Sequence, residues 1–502
     1  MLLAAVIGAL AAAIGCGSSA SSRAQSAAGP PLPEQLQHQW SRALAADAHI
    51  TAVATSEALP VGAVFVAGAI APSPRRDAPE GLFLGSPPAA PQPAPGRPPA
   101  PAVGADANPE AARASTSDAF IAQLTPDGGV SWLTRVGGPG RDRVTALAAD
   151  ADQVIAGLAI TPPLAIADVA ITGSGRPDAA VLGLTPSGEI RWSQPLSSSR
   201  YVRVQALALA ADGTTTAVGM FAGTLRIGDQ VMASAGATDL FVARFSLSGQ
   251  LLGALRFGGV GSDLAYDVVS DSAQLIVAGH FGAEVDLGLP ALQAPGGVIF
   301  ALAAADRDGD DSAARAADPM AYSVAWLRPL GAQTVAARLA RAPDGRLCVG
   351  GHFAGQLTLA ERTLSSQAGS DGFAACLDPN GDPIWVTRLA SGVDDSVRGL
   401  RWSSRGLVIA GSFGGTLTSN GYTLNSTGER DLFIALMRPS DGVLSAARRV
   451  GGPGYDELAA LGVGVEDRVF IAGGFATALT LDDANVLTAD RAQAGFAAAF
   501  GW

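Results

Sequence analysis

The stretch "DLFVARFSLSGQLLGALRFGGVGSDLAYDVVSDSAQLIVAGHF", Asp239 to Phe281, decides the fold. It opens on strict alternation, with Leu240, Val242 and Arg244 on one side of an extended chain and Phe241, Ala243 and Phe245 on the other. A turn, a second run, a glycine-rich connection and two further runs follow, so the segment predicts four short strands. The same order returns from Asp118 ("DAFIAQLTPDGGVSWLTRVGGPGRD") and from Asp431 ("DLFIALMRPSDGVLSAARRVGGPGYD"), and diverged copies start at Asp178, Val298 and Asp371. Self-similarity at a fixed period marks a repeat architecture, and four-stranded units repeated about an axis make a β-propeller.

With the innermost strand named A, "VTALAAD" is A, "QVIAGLA" is B, "DAAVLGL" is C and "EIRWSQP" is D. A strands begin near residues 51, 144, 203, 265, 335, 397 and 457, which predicts an all-β, seven-bladed propeller of four-stranded blades. Ala and Gly dominate the inner runs, as crowding near an axis requires. Trp, Phe and Leu fill the wider spaces outside. "TPDGG" and "DPNGD" supply tight-hairpin chemistry between C and D. The copies stand roughly 60 residues apart, above the roughly 40–50 of ordinary blades. The excess lies after strand B, in "FAGTLRIGDQVMASAG" (221–236) and its relatives at 353 and 413, which predict a small protruding hairpin.

The chain ends on "GFAAAF" (495–500), a strand C with no strand D after it. "QHQWSRAL" (37–44) reads as the missing strand, with Trp40 and Arg42 matching Trp132 and Arg135. The N-terminal strand is therefore expected to complete the last blade and close the ring.

Composition narrows the function classes. The chain has 502 residues, 48% hydrophobic, with 62 glycines, 32 prolines and a net charge of −12. All 33 basic residues are arginine. An acidic, lysine-free chain is a poor nucleic-acid binder and has neither a phosphate-loop lysine nor a Schiff-base lysine. At the N-terminus, "MLLAAVIGALAAAIGCGSS" carries an apolar run too short to span a bilayer comfortably. Small residues before Cys16 make it similar to a bacterial lipoprotein signal. That resemblance implies a signal peptide over 1–15, a lipidated Cys16 holding the protein on the membrane, and a flexible tether over 16–36. Gly17 and Ser18, with no aspartate beside the cysteine, favour the outer membrane by the same analogy.

"GGVGSDLAYDVVSDSAQLIVAGHF" (258–281), "DAFIAQLTPDGGVSWLTRVGG" (118–138) and the F-x-G-x-L link resemble the SBBP-type bacterial β-propeller repeat over roughly residues 37–502. The resemblance implies a propeller on an exported surface lipoprotein of a myxobacteria-like organism. It implies no activity and no catalytic residues.

Two insertions interrupt the domain. Residues 71–117 are rich in Pro and Ala and read as a solvated excursion. In "DRDGDDSAARAAD" (306–318), Asp306, Asp308 and Asp310 alternate like the first ligands of a calcium loop, although Gly309 is misplaced and no Glu follows at the twelfth place. Calcium is the one cofactor the sequence invites. Asp142, Asp263, Asp395 and Asp456 stand in register in the D-to-A connections, where they would face a tunnel mouth and draw a cation or basic ligand, or else close their own turns. Cys348 and Cys376 lie on neighbouring strands and are expected as two buried small residues, with a disulfide left open by export. His280 and His352 share a repeat position that other blades fill with Met220 and Ser412, so no metal pair is expected. These readings favour a monomeric, non-catalytic binding or scaffold module whose partner is an envelope protein or glycan. A propeller enzyme (hydrolase, lyase or quinoprotein) and a subunit of an outer-membrane assembly complex are the alternatives.

Overall fold

The structure is a computed structural model and describes residues 36–44, 48–55, 64–70, 116–138, 140–166, 169–171, 178–270, 274–285, 287, 295–304, 320–419, 421–489 and 493–502. Cys16 with its signal, the tether as far as residue 35, residues 71–115 of the first insertion and Asp306, Asp308 and Asp310 lie outside the described residues.

Seven antiparallel sheets, each with an A-B-C-D core, form a seven-bladed β-propeller. The A strands are His49–Ala54, Arg143–Ala149, Tyr201–Leu209, Leu264–Ser270, Thr334–Arg341, Ser396–Ser403 and Glu457–Val463. The last blade runs Glu457–Val463, Val469–Phe475, Ala494–Gly501 and then back to Gln37–Ala43. Trp40 pairs with Ala499 and Ala43 with Phe496, so the N-terminal strand closes the ring.

Both faces of each strand C are buried because each blade is sandwiched between two neighbours. Leu240 and Val242 enter one apolar cluster, and Phe241, Ala243 and Phe245 enter the next. A phenylalanine at the end of strand B meets one on strand C in blade after blade, with ring centroids 6.1 Å apart for Phe353 and Phe373 and 6.2 Å for Phe413 and Phe433. Each such pair adds about 0.5–1.5 kcal/mol beyond the area it buries.

Tryptophan on strand D ties four of the blades to the next by a hydrogen bond. The indole N–H of Trp40 donates to Pro126 O (2.9 Å), that of Trp132 to Pro186 O (3.0 Å), and that of Trp385 to Pro439 O (2.9 Å). The ring lies against the turn glycine of the following blade. At Gly128 (φ 82°) a Cβ would stand 2.6 Å from Trp40, and at Gly442 (φ 70°) 2.4 Å from Trp385. The turn therefore needs glycine twice, for its left-handed backbone and for the indole. Trp40 docks as Trp132 does, but the partner of Arg42 is not Arg135. Arg42 donates to Asp127 O and Arg328 to Gly381 O, while Thr134 donates to Gly188 O. Two residues after the tryptophan is the same face of the strand; three after it, where Arg135 stands, is the other.

Among the described residues the B-to-C links of five blades are hairpins, and they lie on the neighbouring blade rather than protruding freely. Thr224–Ile227 pairs with strand D of the preceding blade, Leu196 opposite Ile227. Alternate side chains, Leu225 and Ile227 in one link and Leu357 and Leu359 in another, are fully buried. Cys348 and Cys376 sit directly opposite each other, their Cα atoms 4.0 Å apart, and form a disulfide. The expectation of two unpaired small residues is thereby corrected. The register that pairs strands B and C brings the two sulfurs together.

Candidate functional site

The channel is built from one repeated irregularity. Every strand A carries a bulge at the same place, between Ile50 and Ala52, Val144 and Ala146, Val204 and Ala206, Ala265 and Asp267, Ala336 and Arg338, Val397 and Gly399, and Leu458 and Ala460. A bulge sharpens local twist and re-aims side chains. It also thrusts a carbonyl toward strand B. A Cβ at Gly68 would stand 1.7 Å from His49 O, and at Gly351 1.8 Å from Val335 O. The glycine of the "AGHF"-type motif thus makes room for the bulge.

Bulge residues reach across to the next blade. Thr51 Oγ1 donates to Val144 O (2.6 Å) and Thr145 Oγ1 to Val204 O (2.7 Å). Beside them a throat of about 70 Å³ is ringed by strands A of all seven blades. Just after the bulge the first three blades carry Ala52, Ala146 and Ala206, but the fourth carries Asp267 and the fifth Arg338, and Arg401 joins them from the sixth. Asp267 accepts from Val268 N (3.0 Å) and, across the blade boundary, from Leu339 N (2.8 Å). Burial pulls the Arg401 guanidinium below its ordinary value; Asp267 opposes this and Arg338 adds to it. Among the described residues, Arg338 and Arg401 make hydrogen bonds to the carbonyls of Ala337 and Leu400, next to them in the chain.

The throat opens at the end where the D-to-A connections enter. There a hollow of about 350 Å³ is lined by His49, Arg338, Arg398, Tyr455, Glu457 and Gln493. Arg398 pairs with Glu457 at 2.9 Å. Tyr455 is 37% exposed, with the Arg430 guanidinium 5.8 Å from its ring centre.

The four register aspartates are not exposed at this mouth. Asp142, Asp263 and Asp456 are 0% exposed and Asp395 1%, each at a different blade junction. Asp142 accepts from Gly138 N (2.7 Å) in its own turn and from Thr161 N (2.7 Å), just past strand B. Asp263 does the same with Gly259 N (2.7 Å) and Gly282 N (2.9 Å), and Asp456 with Gly452 N (2.8 Å) and Ala476 N (3.3 Å). Asp395 takes both N–H and O–H of Ser391. Each carboxylate clamps a connection to the exit of strand B, so its oxygens are engaged and not offered to a ligand. Burial raises all four above the ordinary carboxylate value, Asp395 and Asp456 to about 6.

A further charged pair recurs in the repeat. The aspartate that opens strand C bonds the arginine near the end of strand D: Asp239 with Arg256, Asp371 with Arg388 (3.3 Å) and Asp431 with Arg449 (2.7 Å). The shared Asp-x-Phe and the recurring arginine were visible in the sequence, but their meeting required knowing that C and D are antiparallel neighbours. Burial lowers the pKa of both His280 and His352. Among the described residues no group of three or more His, Cys, Asp or Glu side chains is placed to hold a metal, and no helix is long and apolar enough to cross a membrane.

No family model matches the chain, and no curated protein matches it significantly. Among solved structures it is similar to the quinohemoprotein alcohol dehydrogenase ADHIIG of Pseudomonas putida HK5 and to that of Comamonas testosteroni. Each has 10% identity and a TM-score of 0.40 over 93% of this chain and 76% of the other. The arabinanase Arb43A of Bacillus subtilis is similar at 9% identity and a TM-score of 0.28, over 61% of this chain and 99% of that one.

Proposed function

We propose that the protein is an exported propeller, held at the bacterial outer membrane through a lipid on Cys16, that acts as a non-catalytic binding or scaffold module for an envelope protein or glycan. The recognition face in this reading is the channel mouth. One observation carries it: charge is concentrated on one side of the throat, at Asp267, Arg338 and Arg401, whereas the first three blades line the other side with Ala52, Ala146 and Ala206. A fold that tolerates alanine at Ala52, Ala146 and Ala206 has no packing need for Arg338. Ring closure within one chain supports a monomer, since no second copy is needed to complete a blade. The short apolar run before Cys16 supports export.

The test is capture from envelope extracts by the full chain, with Arg338→Gln and Tyr455→Ala as mouth variants. Retention of one partner set by the wild type and its loss in both variants is the expected result. Equal capture by all three proteins would remove the mouth from the account. Fractionation of Cys16→Ser tests the anchor, because the variant should leave the membrane fraction. A visible absorption band in the purified protein would favour a quinoprotein. Stable co-purification with an assembly complex from detergent would favour a machine subunit.

A further inference from the structure

We propose that the channel mouth binds the carboxylate of an acidic sugar, seated on Arg338 where the throat meets the hollow. This rests on the reading above, that the mouth is a recognition face. Arg338 lines both the narrow throat and the hollow of about 350 Å³ outside it. The hollow falls at the lower end of the size range of small-ligand sites, and the throat beyond it, at about 70 Å³, admits nothing larger than a terminal group. A ligand therefore sits in the mouth and sends one small group inward.

Charge fixes what that group is. Three guanidiniums, of Arg338, Arg398 and Arg401, face two carboxylates, of Asp267 and Glu457. Glu457 is taken by Arg398 at 2.9 Å, and Asp267 acts electrostatically on Arg401. Arg338 remains, with a hydrogen bond to Ala337 O as its partner among the described residues. A partly enclosed guanidinium beside a second one is costly unless an anion joins it. The surplus is one positive charge, which a monoanion cancels and a phosphate dianion overshoots. A carboxylate also fits the planar fork of arginine with two parallel hydrogen bonds.

The rest of the lining fits a sugar better than a peptide. Glu457 and Gln493 offer acceptors, and His49, Gln493 and Tyr455 offer donors, as neighbouring hydroxyls require. The larger aliphatic side chains there, Ile50 and Leu458, are 3% and 1% exposed, which leaves the Tyr455 ring as the one large apolar surface in the lining, a flat face suited to a sugar ring.

The experiment is calorimetric titration of the full chain with a glucuronate-ended tetrasaccharide, its carboxyl-reduced form, inorganic sulfate and triglycine. Saturable binding of the acidic sugar is expected, with the reduced form weaker by about tenfold or more, as loss of a charge-assisted pair implies. Arg338→Gln should weaken the acidic sugar by a similar factor at an unchanged unfolding temperature, and Arg362→Gln, on an exposed hairpin, should leave it as in the wild type. Equal affinity for the reduced sugar, tighter binding of sulfate or triglycine, or an unaffected Arg338→Gln would each overturn the proposal. If none of the four probes binds while the wild type still captures an envelope partner that the mouth variants lose, the ligand class falls and the recognition face stands. If capture fails as well, both fall.

Discussion

The first three blades and the next three present the same bulged backbone to the channel and fill it differently. Ala52, Ala146 and Ala206 line one half; Asp267, Arg338 and Arg401 line the other. Four of the seams between blades repeat one contact. Trp40, Trp132, Trp192 and Trp385 each donate to a turn carbonyl of the following blade. The difference teaches where the repeat is constrained. Seams must match a neighbour of the same shape, so they repeat. In the throat Thr51, Thr145 and Asp267 still bond across blade boundaries, but among the described residues Arg338 and Arg401 bond only the carbonyls beside them in the chain and are free to be chosen for something other than folding.

Breaking a seam should cost most, and the closing seam is the sharpest place to try. Trp40→Ala removes a 7%-exposed indole and its bond to Pro126 O, and should destabilise the protein by about 3–5 kcal/mol in denaturant titration. Trp132→Ala should cost a similar amount, although its seam does not involve the chain's ends. A much smaller loss at Trp40 would mean that closure contributes little.

The clamping aspartates come next and have a pH signature. Asp456 has a folded pKa raised to about 6 from an ordinary 3.8, so the folded state holds its proton more tightly than the unfolded one between those values. Its contribution is fully present below about pH 4 and is lost as pH rises through about 6. Asp456→Asn, which cannot titrate, should cost about 1–3 kcal/mol at pH 4 by disturbing the clamp, and less at pH 7. Unfolding temperatures of both proteins across that range decide it; a penalty that grows with pH would contradict the sign.

The throat itself should respond least. Asp267→Ala leaves Leu339 N–H without its acceptor and Arg401 without its counter-charge, at a cost of about 1–2 kcal/mol. Arg338→Ala gives the fifth blade the residue the first three already have, and should change stability by less than about 0.5 kcal/mol. A large loss there would show that the charged half is structural after all.

Alternation in "DLFVARF", turn glycines and the recurring glycine-rich connections made the blades legible in the sequence, because strand period and turn chemistry are local properties. The closing strand was legible too, since an unfinished last blade and an unattached first strand implied each other. The site was read less well. Aspartates in register drew attention to themselves, yet register is what a structural clamp produces. Arg338 and Asp267 stand where the repeat is broken, and a comparison of repeats that looks for sameness passes over them. The Asp239–Arg256 type of pair was missed for a simpler reason, that its members are separated by a turn and meet only across the sheet.

By itself, the sequence determined the number of blades, the order of strands within them and the joining of the two ends, because each follows from a period that the residues carry locally. The tertiary structure alone decided which polar groups are spent on the fold and which face the channel. That division depends on burial and on partners contributed by neighbouring blades, and the repeat pattern records neither.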